Sequence, residues 1–376
     1  MNIRICMYAA IILFVATTGI ASANDLTPQE ELGKLLFFDT DLSVPQGQSC
    51  ASCHDPDFGF ADPDSSRAVS MGAIHVRFGD RNSPTAAYAG YSPDFHYDVD
   101  EGIYIGGQFW DGRAANLAEQ AKGPFLNPLE MNNPSKQAVI QKIRNSDYVD
   151  LFEVVYGEDA LDDVDMAYDQ VADAIAAFEM TDEVNRFSSK YDKYLAGEVS
   201  LTKEEKRGLK LFNNPKKGNC AACHLSTAGP YADEPLFTDF TYDNLGVPSN
   251  LGMLGDSPEL MNYYPFYYQP LAPNFNPNGL NFVDYGLGGI VPGETGKVKV
   301  PTLRNVAITS PYMHNGAFTT LKEVVHFYNT RDVPGEVWPA PEVGENVNTD
   351  ELGDLGLTDG QEDAIVAFME TLTDGY

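Results

Sequence analysis

Positive charge is scarce in this sequence. Against 55 Asp and Glu stand 24 Lys and Arg, a net charge of −31 over 376 residues. Nucleic-acid binding needs a basic patch or stripe, and none is present, so that class of partner is excluded. The acidity fits steering of a basic protein partner, or solubility in a salty habitat, and both readings stay open. Long apolar runs are also missing, apart from one between Ile5 and Val15. That run follows Arg4 and precedes Ala21-Ser22-Ala23, the pattern of a signal peptide cleaved after Ala23. It is too short for a spanning helix, so no membrane span is expected and the mature chain is read as exported to the periplasm. Loss of the leader removes Arg4 and no acid, taking the charge from −31 to −32.

Cysteine is the next scarcity. There are five, and Cys6 leaves with the leader. The other four are Cys50, Cys53, Cys220 and Cys223, in the strings CASCH (50–54) and CAACH (220–224). C-x-x-C-H is the attachment signature of a c-type haem. Two thiols about one helical turn apart bond the porphyrin vinyl groups, and the following imidazole reaches the iron. With no cysteine left over, a disulfide framework or zinc knuckles explain the spacing poorly. His54 and His224 are the expected proximal ligands of two covalently bound haems.

The chain also repeats itself. LTPQEELGKLLF (26–37) aligns with LTKEEKRGLKLF (201–212), each an amphipathic helix with a Thr cap just ahead of its C-x-x-C-H. DAIAAF (173–178) matches DAIVAF (363–368), again in helical patterns. Each half therefore carries a helix, a haem motif and a closing helix, the order of a cytochrome c domain. A polar, Gly-containing stretch at 183–200 suits a boundary, giving an N-terminal domain over 24–190 and a C-terminal domain over 191–376. The fold class expected is mostly α, two cytochrome c-like domains with long irregular loops. Residues 225–300, rich in Pro, Gly, Asn and aromatics and including NYYPFYYQP, read as loops around the second haem and the interface.

With these motifs the chain resembles the bacterial di-haem cytochrome c peroxidases, a family that includes the methylamine-utilisation di-haem enzyme. The resemblance runs over nearly all of the mature chain. It rests on LGKLLFFDTDLS (32–43), CASCH, RNSPT (81–85), FWDGRAANLAEQAKGPFLNPLEM (109–131), CAACH, VPTLRN (300–305) and PYMHNG (311–316). It implies that the C-terminal haem takes electrons from a donor and the N-terminal haem meets hydrogen peroxide. Met313 matches the distal ligand of the electron-accepting haem, and an axial Met raises a haem's potential. A core methionine filling a gap is the alternative. The methylamine-utilisation enzyme has Tyr at this position, so Met313 argues for peroxidase chemistry, although Tyr312 keeps a Tyr ligand open. His314 competes with Met313 but is expected to bond a propionate or the backbone.

On the peroxide side, the resemblance implies Glu130 as the acid–base residue and Gln120 as its orienting partner. Trp110 matches a residue that lies between the haems and assists electron passage, and Arg113 is expected to pair a propionate or a local carboxylate. His75, with Met71 as a weaker rival, is a candidate distal ligand of the first iron; a surface His is the alternative. His96 and His326 read as structural. Asn82 resembles the family's calcium-binding asparagine, with further oxygen ligands expected from 280–300. The implied reaction is reduction of hydrogen peroxide to water with electrons from a small cytochrome c or cupredoxin. Family members often form homodimers. Two rival functions remain: a di-haem oxidase that modifies a protein side chain, and a non-enzymatic di-haem electron carrier.

Overall fold

Both helices of the sequence repeat form where their caps place them. The computed structural model describes residues 26–250 and 283–376. The leader and the NYYPFYYQP stretch lie outside the described residues. Helix α1 (Pro28–Phe38) opens at Thr27, whose hydroxyl accepts from Glu30 N while the Glu30 carboxylate accepts from Thr27 N at 2.6 Å. Thr202 and Glu205 make the same reciprocal cap ahead of a second helix, Lys203–Phe212.

Between them run α2 (Leu117–Leu126), α3 (Lys136–Arg144), α4 (Val149–Tyr156), α5 (Val164–Glu179) and α6 (Lys190–Leu195). The Lys203–Phe212 helix is then α7, followed by α8 (Leu321–Thr330) and α9 (Asp359–Met369). Strand structure among the described residues is limited to two antiparallel pairs. Strand β1 (His96–Asp98) pairs with β2 (Ile103–Ile105), and β3 (Tyr242–Asp243) with β4 (Val298–Lys299).

The repeat extends to packing. Helix α1 crosses α5, and α7 crosses α9, with a glycine at each crossing. A Cβ on Gly33 would sit 1.9 Å from the carbonyl oxygen of Ala174, and one on Gly208 would sit 1.8 Å from that of Ala364. Only a residue without a side chain lets the backbones approach this closely. Edge-to-face phenylalanines close each crossing, Phe37 on Phe178 at 5.4 Å and Phe212 on Phe368 at 5.2 Å. Two apolar clusters result. One gathers Leu32, Leu36 and Phe37 with Ile175 and Phe178, the other Phe212 with Ile365 and Phe368. The stretch read as a boundary holds α6, whose Tyr191 is buried in the second cluster. Residues 225–250 and 283–300 are loops carrying β3, β4 and a single 3-10 turn at Gly286–Gly289.

Candidate functional site

Each C-x-x-C-H string folds into one 3-10 turn, Cys50–Ser52 and Cys220–Ala222. The turns close through His54 N to Cys50 O at 3.0 Å and His224 N to Cys220 O at 2.9 Å. None of the four cysteines is in a disulfide, and each pair lines one cavity together with its histidine. The imidazoles are oriented alike. Nδ1 of His54 lies 3.2 Å from the Phe60 carbonyl, and Nδ1 of His224 lies 2.8 Å from the Phe237 carbonyl. A ring whose Nδ1–H donates to a carbonyl presents an unprotonated Nε2, the tautomer that binds a metal.

Both acceptor phenylalanines have left-handed backbones, at φ +58° and +53°. Thr85 and Thr302 brace them by donating to the preceding carbonyls, Gly59 O at 2.6 Å and Leu236 O at 2.7 Å. Burial holds both imidazoles below their ordinary pKa and so neutral, and pushes the four thiols up. Paired thiols, neutral imidazoles with Nε2 available, and a largely apolar cavity at each pair form a donor set that fits two covalently attached haems.

A further repeat, faint in the sequence, surrounds these cavities. Residues 108–126 and 312–330 match at a constant offset: a bridged loop, an Asn116 or Thr320 helix cap, then α2 or α8. The side chains facing the two cavities differ at matched positions. The first cavity has Phe109, Gln120 and Pro124 where the second has Met313, Val324 and Tyr328. The closing helices diverge in the same sense, with Glu179 facing the first cavity and Met369 the second. At these positions the first cavity carries the Gln120 amide and the Glu179 carboxyl, and the second the Met313 and Met369 thioethers and the Tyr328 hydroxyl.

Glu130 and Gln120 both line the first cavity. Glu130 follows the C-terminal end of α2, and Asn127 Nδ2 donates to its Oε1 at 2.8 Å. Its pKa is raised to about 7, chiefly by burial and then by the Asp80 charge, against the opposing pull of Arg113. Glu179 was not anticipated. It is buried, faces the same cavity, and burial alone raises its pKa to about 8. Its position beyond the DAIAAF repeat, against Met369 beyond DAIVAF, was the available signal.

In the second cavity, Met313 sits at φ +73° with its Sδ 3.9 Å from the Tyr328 hydroxyl. The tyrosine near this thioether is therefore Tyr328. Tyr312 donates its hydroxyl to Val306 O at 3.0 Å. His314 is 7 % exposed and its Nε2 lies 3.3 Å from a carboxylate oxygen of Glu342, a partner other than the propionate or backbone group expected.

The structure does not bring His75 to the first cavity. It is exposed on the turn of a short hairpin bridged at Met71 and Phe78. That hairpin is tied to the Glu130 loop by Ala73 N to Glu130 O at 2.8 Å and by Arg77 Nη1 to Pro128 O at 3.2 Å. Gly72 packs so closely on it that a Cβ would lie 2.2 Å from Leu129 O. These ties hold the tip outward, and Met71 faces the cavity instead.

One wall is common to both cavities and includes Asn82, Trp110 and Lys299. Trp110 is 8 % exposed and donates its indole N–H to Asn82 O at 2.8 Å. Lys299 Nζ bonds Gly107 O, and burial lowers its pKa to about 7. Asn82 Nδ2 donates to Ala68 O at 3.1 Å, leaving Oδ1 as the atom for a cation. Among the described residues no group of three or more His, Cys, Asp or Glu gathers around a metal position.

Arg113 pairs a local carboxylate, Asp111 at 2.9 Å, and lies 3.5 Å over the Phe109 ring. Arg81, not singled out from sequence, joins Asp111 at 2.6 Å to Asp284 in a bidentate pair at 2.6 and 2.7 Å.

The family model for di-haem cytochrome c peroxidase matches residues 27–200. The methylamine utilization protein MauG of Paracoccus denitrificans is 40% identical over 99% of this chain and 96% of its own. The cytochrome c551 peroxidase of Nitrosomonas europaea is 30% identical over 95% of this chain and 87% of its own. Among solved structures, the di-haem peroxidase BthA of Burkholderia thailandensis superposes with a TM-score of 0.76 at 34% identity, covering 93% of this chain and 87% of that one. The mostly α, cytochrome c-like architecture is thus shared with relatives that include both peroxidases and MauG proteins, and the chain belongs to the di-haem cytochrome c peroxidase family.

Proposed function

We propose that this chain reduces hydrogen peroxide to water in the periplasm, drawing two electrons from a small donor protein of the cytochrome c or cupredoxin type. The single observation that carries the reading is the asymmetry of the two cavities: Glu130 and Gln120 in the first, Met313 at the matched loop of the second. Haems bonded at Cys50/Cys53 and Cys220/Cys223 would supply redox iron at both places, held by His54 and His224. Met313 would complete the second set, and a Met/His pair would give a high potential suited to accepting electrons. Two domains, 24–190 and 191–376, would hold one site each.

The residues of the first cavity suit the proton work. Peroxide reduction consumes two protons and two electrons per two waters formed. With a pKa of about 7, Glu130 can take the proton from one peroxide oxygen and deliver it to the leaving one. Asn127 orients that carboxylate, and Gln120 offers an amide to hold the peroxide. Trp110, in the shared wall, lies on the short route for electrons between the sites. Asn82 in that wall would hold a calcium ion through Oδ1.

A second reading, oxidation of a side chain on another protein, draws support from the 40% identity to MauG and from Tyr328 beside Met313. A mere electron carrier needs neither Glu130 nor Gln120. The distinguishing experiment supplies peroxide together with a reduced small cytochrome. Rapid oxidation of the cytochrome supports the peroxidase, whereas peroxide consumed without cytochrome oxidation favours the second reading.

A further inference from the structure

We infer that Phe109 is the residue that keeps the first iron site open, by occupying the place from which the matched loop of the second half presents a thioether. The inference rests on the haem reading above. The loops 108–114 and 312–318 are built alike. Gln108 N donates to Ala114 O at 2.8 Å, and Tyr312 N to Phe318 O at 2.8 Å. The residue after each bridge is left-handed, Phe109 at φ +64° and Met313 at +73°. The glycine three residues on repeats the match, Gly112 at +71° and Gly316 at +61°. Helix caps follow in register, with Asn116 accepting from Glu119 N and Thr320 from Glu323 N, each at 3.2 Å.

A left-handed backbone is costly for a bulky residue, about 1–3 kcal/mol, and persists where surrounding structure fixes it. Here the cost is met twice, at matched positions, and each time the side chain faces the cavity that holds the proximal histidine. The second loop spends this geometry on a sulfur with a lone pair. The first spends it on a ring that has none to give. The ring is also held in place, with the Arg113 guanidinium 3.5 Å from its centroid. Gly123 of α2 lies against it: a Cβ there would be at van der Waals distance, 3.4 Å, from the Phe109 Cζ. Phe and Met are close in volume and both unbranched at Cβ, so an exchange preserves packing.

The test is a reciprocal exchange in the haem-loaded chain, read by cyanide stoichiometry and by the absorption and spin-resonance signatures of the irons. The wild type is expected to bind one cyanide per chain. Phe109→Met is expected to bind none and to gain a second thioether-ligated, low-spin signal. Met313→Phe is expected to bind two. Phe109→Leu, apolar and non-ligating, is expected to remain like the wild type. A folded Phe109→Met that still binds one cyanide, with the Met313 signal unchanged, overturns the inference and leaves the haem reading intact. Closure in Phe109→Leu as well overturns it, because ligation is then not the cause. Two cyanides bound by a wild type that shows no thioether-ligated signal before cyanide is added would remove Met313 as a ligand, and with it both the reading of the second site and the inference. Should Phe109→Met not fold, Met313→Phe decides alone: a second site that stays closed shows that the loop position does not set access.

Discussion

Replacing Glu130 by Gln should separate chemistry from stability. The substitution keeps size and still lets Asn127 donate to Oε1. It removes the proton acceptor, and a positioned acid–base group contributes about 10²–10⁴-fold. The expected loss in kcat/KM for peroxide is therefore of that order, about 3–5 kcal/mol of barrier. The pH profile gives a second signature. With the carboxyl at about 7, wild-type activity should rise through neutrality as Glu130 ionises and fall towards tenfold per pH unit well below it. The Gln variant should lack that limb.

Stability should move the other way. A carboxyl whose pKa is raised on folding contributes stability that is full below its unfolded value, about 4.5, and lost as pH rises through about 7. The Gln variant never ionises, so at pH 8 it should unfold later than the wild type, by up to about 3 kcal/mol. Stopped-flow peroxide kinetics and urea unfolding, each run across pH, measure the two effects. Turnover within about threefold of wild type, or an unchanged pH limb, would refute the assigned role.

Three further substitutions test the framework. Gly208→Ala forces a Cβ against the Ala364 carbonyl and should cost about 1–3 kcal/mol or more in urea unfolding; an unchanged midpoint would mean the helices part easily. Arg81→Ala strands the buried Asp284 and should cost about 3–5 kcal/mol by the same assay, and a neutral result would mean water or another cation reaches that carboxylate. Glu179→Gln should be stabilising by about 3 kcal/mol at pH 7, because a buried carboxyl near 8 is protonated in the folded chain and ionised in the unfolded one. That gain should vanish below about pH 4.5 and level off above 8, and a gain that does not vary with pH would contradict the cause.

What the sequence disclosed was governed by local chemistry. The Thr–Glu caps of α1 and α7, the glycines at the crossings and the two C-x-x-C-H turns are short-range signals with fixed spacing, and all stand where the repeat put them. The second repeat was nearly invisible. Over 108–125 and 312–329 only Gly112/Gly316, Leu117/Leu321 and Glu119/Glu323 are identical. What is shared there is backbone conformation, while the side chains facing the cavities have diverged. Arg81 and Asp284 are 203 residues apart, and no local pattern joins them. The resemblance made His75 a candidate ligand with a surface His as the alternative, and the structure places it at the surface. Hydrogen bonds from its hairpin to the Glu130 loop, formed only in the folded chain, turn it to solvent.

The most direct test of the account loads the protein with haem and calcium, reduces it by one electron, and mixes it with peroxide and a reduced small cytochrome. Glu130→Gln runs alongside. The account predicts rapid oxidation of two cytochromes per peroxide by the wild type and loss of that turnover in the variant. Slow or absent cytochrome oxidation, with both irons six-coordinate in every redox state, would contradict it.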